Sequence, residues 1–174
     1  MNLYYNDTGF DTKEEFSMNA IDLSILNLEE TRRRSIKLWR SLPDSWIDWR
    51  PDKEAMSFGE MIRHVWSASF YYHMVLKNSG SVKDAIPAPF DQEPIQSVEK
   101  EIELSKPYFD DFVSYVQSLA AEELESRLID RSDVGYQRYL GDMLLRIAYH
   151  DAVHAGQFLQ YLRMIGLERP LIWD

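Results

Sequence analysis

Residues 142–165, DMLLRIAYHDAVHAGQFLQYLRMI, decide the fold. The apolar residues recur at alternating steps of three and four, the pattern of an amphipathic helix, and Gly166 supplies a C-terminal stop. The core-facing stripe reads Met143, Ile147, His150, His154, Tyr161 and Ile165, with Gln157 in register. Buried polar groups cost free energy unless something satisfies them, and a metal ion satisfies imidazole nitrogens directly. On a helix, His150 and His154 share one face with Cβ atoms roughly 5–6 Å apart, the arrangement of helical H-x-x-x-H metal sites. A single inward histidine is more often a hydrogen-bonded core residue. Two on one seam make a metal pair an equal alternative, provided a third ligand comes from elsewhere.

Three further helical patterns precede this one. The first runs from about Ala20 to Leu42 and stops at Pro43, followed by a connection anchored by Trp46 and Trp49. The second opens at Ser57, where Ser57 and Glu60 form an S-x-x-E capping box, and closes at Ser79-Gly80. An irregular, proline-bearing crossover leads to a third helix over about Ile95 to Leu119, with Pro107 expected to kink it. Leu128 to Leu140, containing Asp133 and Gly135, reads as a turn or small hairpin. Four helices with little strand signal predict an all-α fold, a four-helix bundle forming a single domain over residues 1–174.

The hydrophobic fraction of 45% suffices for one core, so a metal here is functional rather than architectural. A formal net charge of -10 argues against nucleic acid as partner. The one basic cluster, Arg32-Arg33-Arg34 after Glu29-Glu30, reads as a solvated helix face. With no cysteines, thiolate metal sites and cysteine nucleophiles are excluded. Met1 to Ser17 lacks the features of a signal peptide, and no stretch is apolar enough to span a membrane. A cytoplasmic protein is the resulting expectation.

The third ligand is sought between His64 and His73, nine residues apart and so on opposite sides of the second helix. The neighbours of His64 on its face (Met61, Ala68, Tyr71 and Val75) favour it slightly over His73, whose face includes Lys77. The residues alone leave the choice open. Glu60 is a candidate partner for His64, although its capping role competes, and Gln157 and Tyr161 are candidates to line the open side.

Three segments together resemble the DinB family of DinB/YfiT-like bundle proteins. They are Trp49-Arg50-Pro51-Asp52 with Ser57-Phe58-Gly59-Glu60-Met61-Ile62-Arg63-His64, then His150-Asp151-Ala152-Val153-His154-Ala155-Gly156-Gln157, then Tyr161-Leu162-Arg163-Met164-Ile165-Gly166. Ala155 stands where many members have arginine. The resemblance implies an up-down-down-up bundle in which His64, His150 and His154 hold one divalent ion, commonly zinc or nickel, often in a homodimer. It also implies a metal-dependent transferase acting on a small-molecule substrate with a low-molecular-weight thiol; the same metal site could activate water instead, as a metal-activated hydrolase. The alternative is a non-catalytic, metal-binding, stress-related interaction protein, for which the aromatics Tyr4, Tyr5, Trp46 and Trp173 offer a surface. No catalytic residue is assigned.

Overall fold

A computed structural model describes residues 18–173. The readings of Met1–Ser17 and of Tyr4 and Tyr5 lie outside them. Four long helices carry the fold: α1 (Ala20–Trp39), α2 (Phe58–Lys77), α3 (Val98–Gln117) and α5 (Leu140–Met164). Between α3 and α5 stand a single-turn helix, α4 (Glu123–Ser126), and two short strands, β1 (Leu128–Arg131) and β2 (Tyr136–Tyr139). The strands pair antiparallel from Leu128↔Tyr139 to Arg131↔Tyr136, so the expected hairpin is present.

Local chemistry sets the helix limits. Asn19 and Asp22 form a capping box on α1, Ser57 and Glu60 form one on α2, and the Ser97 hydroxyl accepts from the Lys100 N–H on α3. The third helix therefore begins at Val98 rather than at Ile95, and it runs unbroken through Pro107. At the end of α5, Gly166 takes φ +74°, with Gly166 N–H donating to Arg163 O and Leu167 N–H to Leu162 O. This is a Schellman closure, and it needs the left-handed conformation that glycine adopts without strain. Gly80, just past α2, packs so closely on the Asp130 backbone that a Cβ would come within 2.6 Å of its carbonyl oxygen.

In the bundle, α1 touches α5 and α3, and α2 touches α3 and α5, which gives the cyclic order α1–α5–α2–α3. Side-chain pairs give the directions. Arg63 meets Glu101, and His73 meets Phe112 and Tyr115, so α2 and α3 run parallel. Phe58 meets Phe158 while His64 meets His150, so α2 and α5 run antiparallel. Arg40 meets Glu99 and Arg32 meets Phe109, so α1 opposes α3. The result is the predicted up-down-down-up bundle. Its parallel α2–α3 pair requires the long crossover over residues 78–97, which no short turn could replace.

The core contains Leu28, Leu38, Trp39, Phe58, Trp66, Phe112, Met143, Leu144, Phe158 and Leu162, all buried. Two expectations need correction here. The buried residues of α5 are Leu140, Met143, Leu144, Ile147, Ala148, Asp151, Phe158 and Leu162, so Met143 and Ile147 lie in the core as expected but the histidines do not. His150 and His154 are half-buried beside them, and Gln157 is exposed. The basic cluster is likewise no uniform solvated face. Arg33 and Arg34 pair with Glu30 near the surface, but Arg32 is only 3% exposed and lies inside the bundle.

Candidate metal centre

Helices α2 and α5 meet along an edge stapled by aromatic rings. Phe58 packs edge-on against Phe158 at 4.6 Å between centroids, and Trp49 from the preceding connection stands at 5.6 Å from Tyr161. Tyr161 therefore serves as a packing residue. Two turns inward from this staple, His64 of α2 comes opposite His150 and His154 of α5. The Nε2 atoms of His64 and His150 are 3.1 Å apart, and those of His150 and His154 are 3.2 Å apart. The three residues each offer one nitrogen within 4.8 Å of the others. Two nitrogens bound to one tetrahedral ion at about 2.0–2.1 Å would stand roughly 3.3–3.4 Å apart, so the spacing is close to that of ligands sharing an ion.

Protonation fits the same role. The Oε1 atom of Gln157 lies 2.7 Å from Nδ1 of His154. A carbonyl oxygen only accepts, so Nδ1 carries the proton and the Nε2 lone pair is left facing the cluster. Burial lowers the pKa of His150 to about 4, aided by the nearby His154 and His64. His64 is shifted down as well, first because neighbouring side chains partly desolvate its ring at the exposed edge and then through His154. Neutral imidazole is the form that binds metal.

These shifts have a consequence for the metal-free protein. A folded-state pKa below the unfolded value means that the unfolded chain binds the proton more readily, so stability falls as pH drops below the unfolded pKa. For His150 the window runs from about pH 6.5, the usual histidine value, down to about 4. Chelated protein is expected to lose stability across this window, and His150→Gln to lose less, as read by urea unfolding at pH 7.5 and 5. Parallel pH profiles would show that His150 contributes nothing to the loss.

The other candidates are placed elsewhere. His73 faces α3, with ring centroids 5.6 Å from Phe112 and 5.1 Å from Tyr115, and does not join the cluster. The expectation that the third histidine points into the core is also corrected: His64 is exposed at the open edge between α2 and α5. Glu60 closes the capping box on Ser57 and pairs with Arg50 at 2.9 Å, so it holds no histidine.

Sequence reasoning missed the support beneath the histidines. Asp151, 5% exposed, accepts from Arg32 Nε at 2.8 Å and from the Ser35 hydroxyl at 2.8 Å. Arg32 also donates from Nη2 to the Ser69 hydroxyl at 2.9 Å, and its guanidinium stacks 3.9 Å from the Trp66 ring centroid. Burial lowers the Arg32 pKa, and Asp151 opposes that shift. The network ties α1, α2 and α5 together one residue from His150 and so fixes the rotation of α5. The signal was present in α1, where Leu28, Arg32, Ser35 and Trp39 follow the four-three-four rhythm of a buried seam.

A helical bundle with three convergent histidines on its second and last long helices defines the class, and sequence comparison gives the family. The sequence model of the DinB superfamily matches residues 27–158, so the chain belongs to the DinB superfamily. Among solved structures, a DinB-like protein of Bacillus subtilis aligns with TM-score 0.66 at 20% identity, covering 86% of this chain and 96% of that one. YfiT from Bacillus subtilis aligns with TM-score 0.70 at 14% identity, covering 94% of this chain and 95% of its own. It is described as a probable metal-dependent hydrolase with an unusual four-helix bundle topology. At these identities the likeness shows the shared fold. No curated protein matches the chain. Among the described residues, no helix is long and apolar enough to cross a membrane.

Proposed function

We propose that the chain is a metal-dependent enzyme that holds one divalent ion with His64, His150 and His154 and directs a small nucleophile, water or a low-molecular-weight thiol, at a small electrophilic substrate. The observation that carries this reading is the convergence of the three imidazoles, with His150 Nε2 at 3.1 Å from that of His64 and 3.2 Å from that of His154. Imidazole nitrogens suit zinc or nickel. Three protein ligands are characteristic of catalytic rather than structural zinc sites. A divalent ion held there lowers the pKa of a coordinated water or thiol, so that a nucleophile exists near neutral pH. The protein favours the neutral form of His64 and His150 by partial desolvation, sets the His154 tautomer through Gln157 and holds α5 in rotation through Asp151 and Arg32. The description of YfiT supports the hydrolytic form, and the DinB resemblance supports the thiol form and the homodimer.

Elemental analysis of untagged protein tests the metal directly: about one ion per chain is expected, in line with a single three-ligand site. Failure to retain any ion after addition of zinc or nickel would overturn the proposal. Metal-dependent hydrolysis of an activated ester, or metal-dependent conjugation of small thiols to monochlorobimane, then distinguishes water from thiol as nucleophile. Inactivity of the loaded protein in both assays points instead to a binding protein without turnover.

A further inference from the structure

Helices α1 and α3 form the edge of the bundle opposite the α2–α5 edge that carries the histidines. Between them lies a groove of about 480 Å³, within the range that holds small organic ligands. Its charge is opposite to that of the protein as a whole. Arg32, Arg33, Lys37, Arg40 and Lys106 line it, against two acids, Glu29 and Asp110, in a chain with formal net charge -10. Most of these cations already have partners, Lys37 among them: Arg40 pairs with Glu99, Lys106 with Asp110 and Arg33 with Glu30. Those pairs are solvent-exposed, and exposed ion pairs are weak enough to yield to a competing anion.

The apolar part of the lining is Ile36, Trp66 and Phe109, and two of the lining residues, Arg32 and Trp66, each keep a buried donor without a hydrogen-bond partner. Arg32 commits Nε to Asp151 and Nη2 to Ser69, while its Nη1 is buried without a hydrogen-bond partner. The indole N–H of Trp66 is buried and unpaired as well. Buried donors in native proteins ordinarily have partners, so two unpaired ones on residues that line a cationic groove point to an acceptor there.

We propose that this groove is a binding site for a small organic carboxylate, its head held by the cationic rim above the Arg32 and Trp66 donors and its apolar body against Ile36, Trp66 and Phe109. The site is separate from the histidine cluster and does not depend on metal.

The test uses 3-phenylpropanoate as probe and 3-phenyl-1-propanol as its neutral counterpart. Binding is followed through the Trp66 indole N–H resonance, identified by its absence in Trp66→Phe. The carboxylate is expected to move that resonance and to bind at about 1 mM or tighter, a reasonable affinity for so few atoms. The double variant Lys37→Glu/Lys106→Glu, altered only at the rim, is expected to weaken binding at least about tenfold. In His154→Ala the affinity should be unchanged. Equal binding of the alcohol, an unmoved Trp66 resonance, or full affinity in the double variant overturns the proposal. Loss of binding in His154→Ala overturns the separation of the two sites.

Discussion

Asp151→Ala is expected to destabilise the protein by about 3–5 kcal/mol, the usual consequence of removing one partner from a buried ion pair. Arg32 is only 3% exposed and packs against the Trp66 and Phe109 rings, so its charge stays largely removed from water when the carboxylate is lost. For a domain of this size the loss corresponds to roughly 6–20 °C in melting temperature. The Ser35 hydroxyl loses its acceptor at the same time. A distinguishing comparison is the double change Arg32→Met/Asp151→Leu. Matched apolar residues can replace a buried pair at little cost, so the double variant is expected to regain most of the lost stability. Equal damage in single and double variants would show that the pair acts through packing volume and not through uncompensated charge.

The second large effect concerns His154. On the proposed assignment, His154→Ala removes a direct ligand, and metal affinity is expected to fall more than about 100-fold, because loss of an outer partner alone typically costs 10- to 100-fold. His73→Ala is the control. Its ring packs between Phe112 and Tyr115 away from the cluster, so metal content should be unaffected even if stability falls. Titration of both variants with zinc, read by metal retained after dialysis, separates the outcomes. Retention by His154→Ala together with loss in His73→Ala would reverse the assignment.

Much of this architecture was legible from the chain alone. The S-x-x-E cap at Ser57, the stop at Gly166 and the three-four rhythm of residues 142–165 are local signals, and the helices follow them to within a few residues. The histidines were legible as a pair because i, i+4 spacing fixes their mutual position on any helix. Their orientation was not. A helix wheel gives relative angles, but only the neighbouring helices fix which line is buried. On α5 that line passes through Asp151, one residue from His150, and Arg32 makes it tolerable from a helix more than a hundred residues away. A charged residue in a run of three arginines looks solvated until its partner is known. The choice of His64 over His73 likewise depended on which neighbour α2 met on each side: α5 at one histidine and α3 at the other.

The separation of His64 from His150 by 86 residues has a consequence for how the protein is made. Chains emerge from the ribosome N-terminus first. The helix bearing His64 is therefore exposed long before its partner histidines exist, and a lone imidazole is a poor competitor for metal. The three histidines come together only when the last long helix leaves the exit tunnel and docks, with Asp151 against Arg32. On the proposed assignment, metal acquisition follows translation, as a step that reports on correct assembly rather than one that guides it.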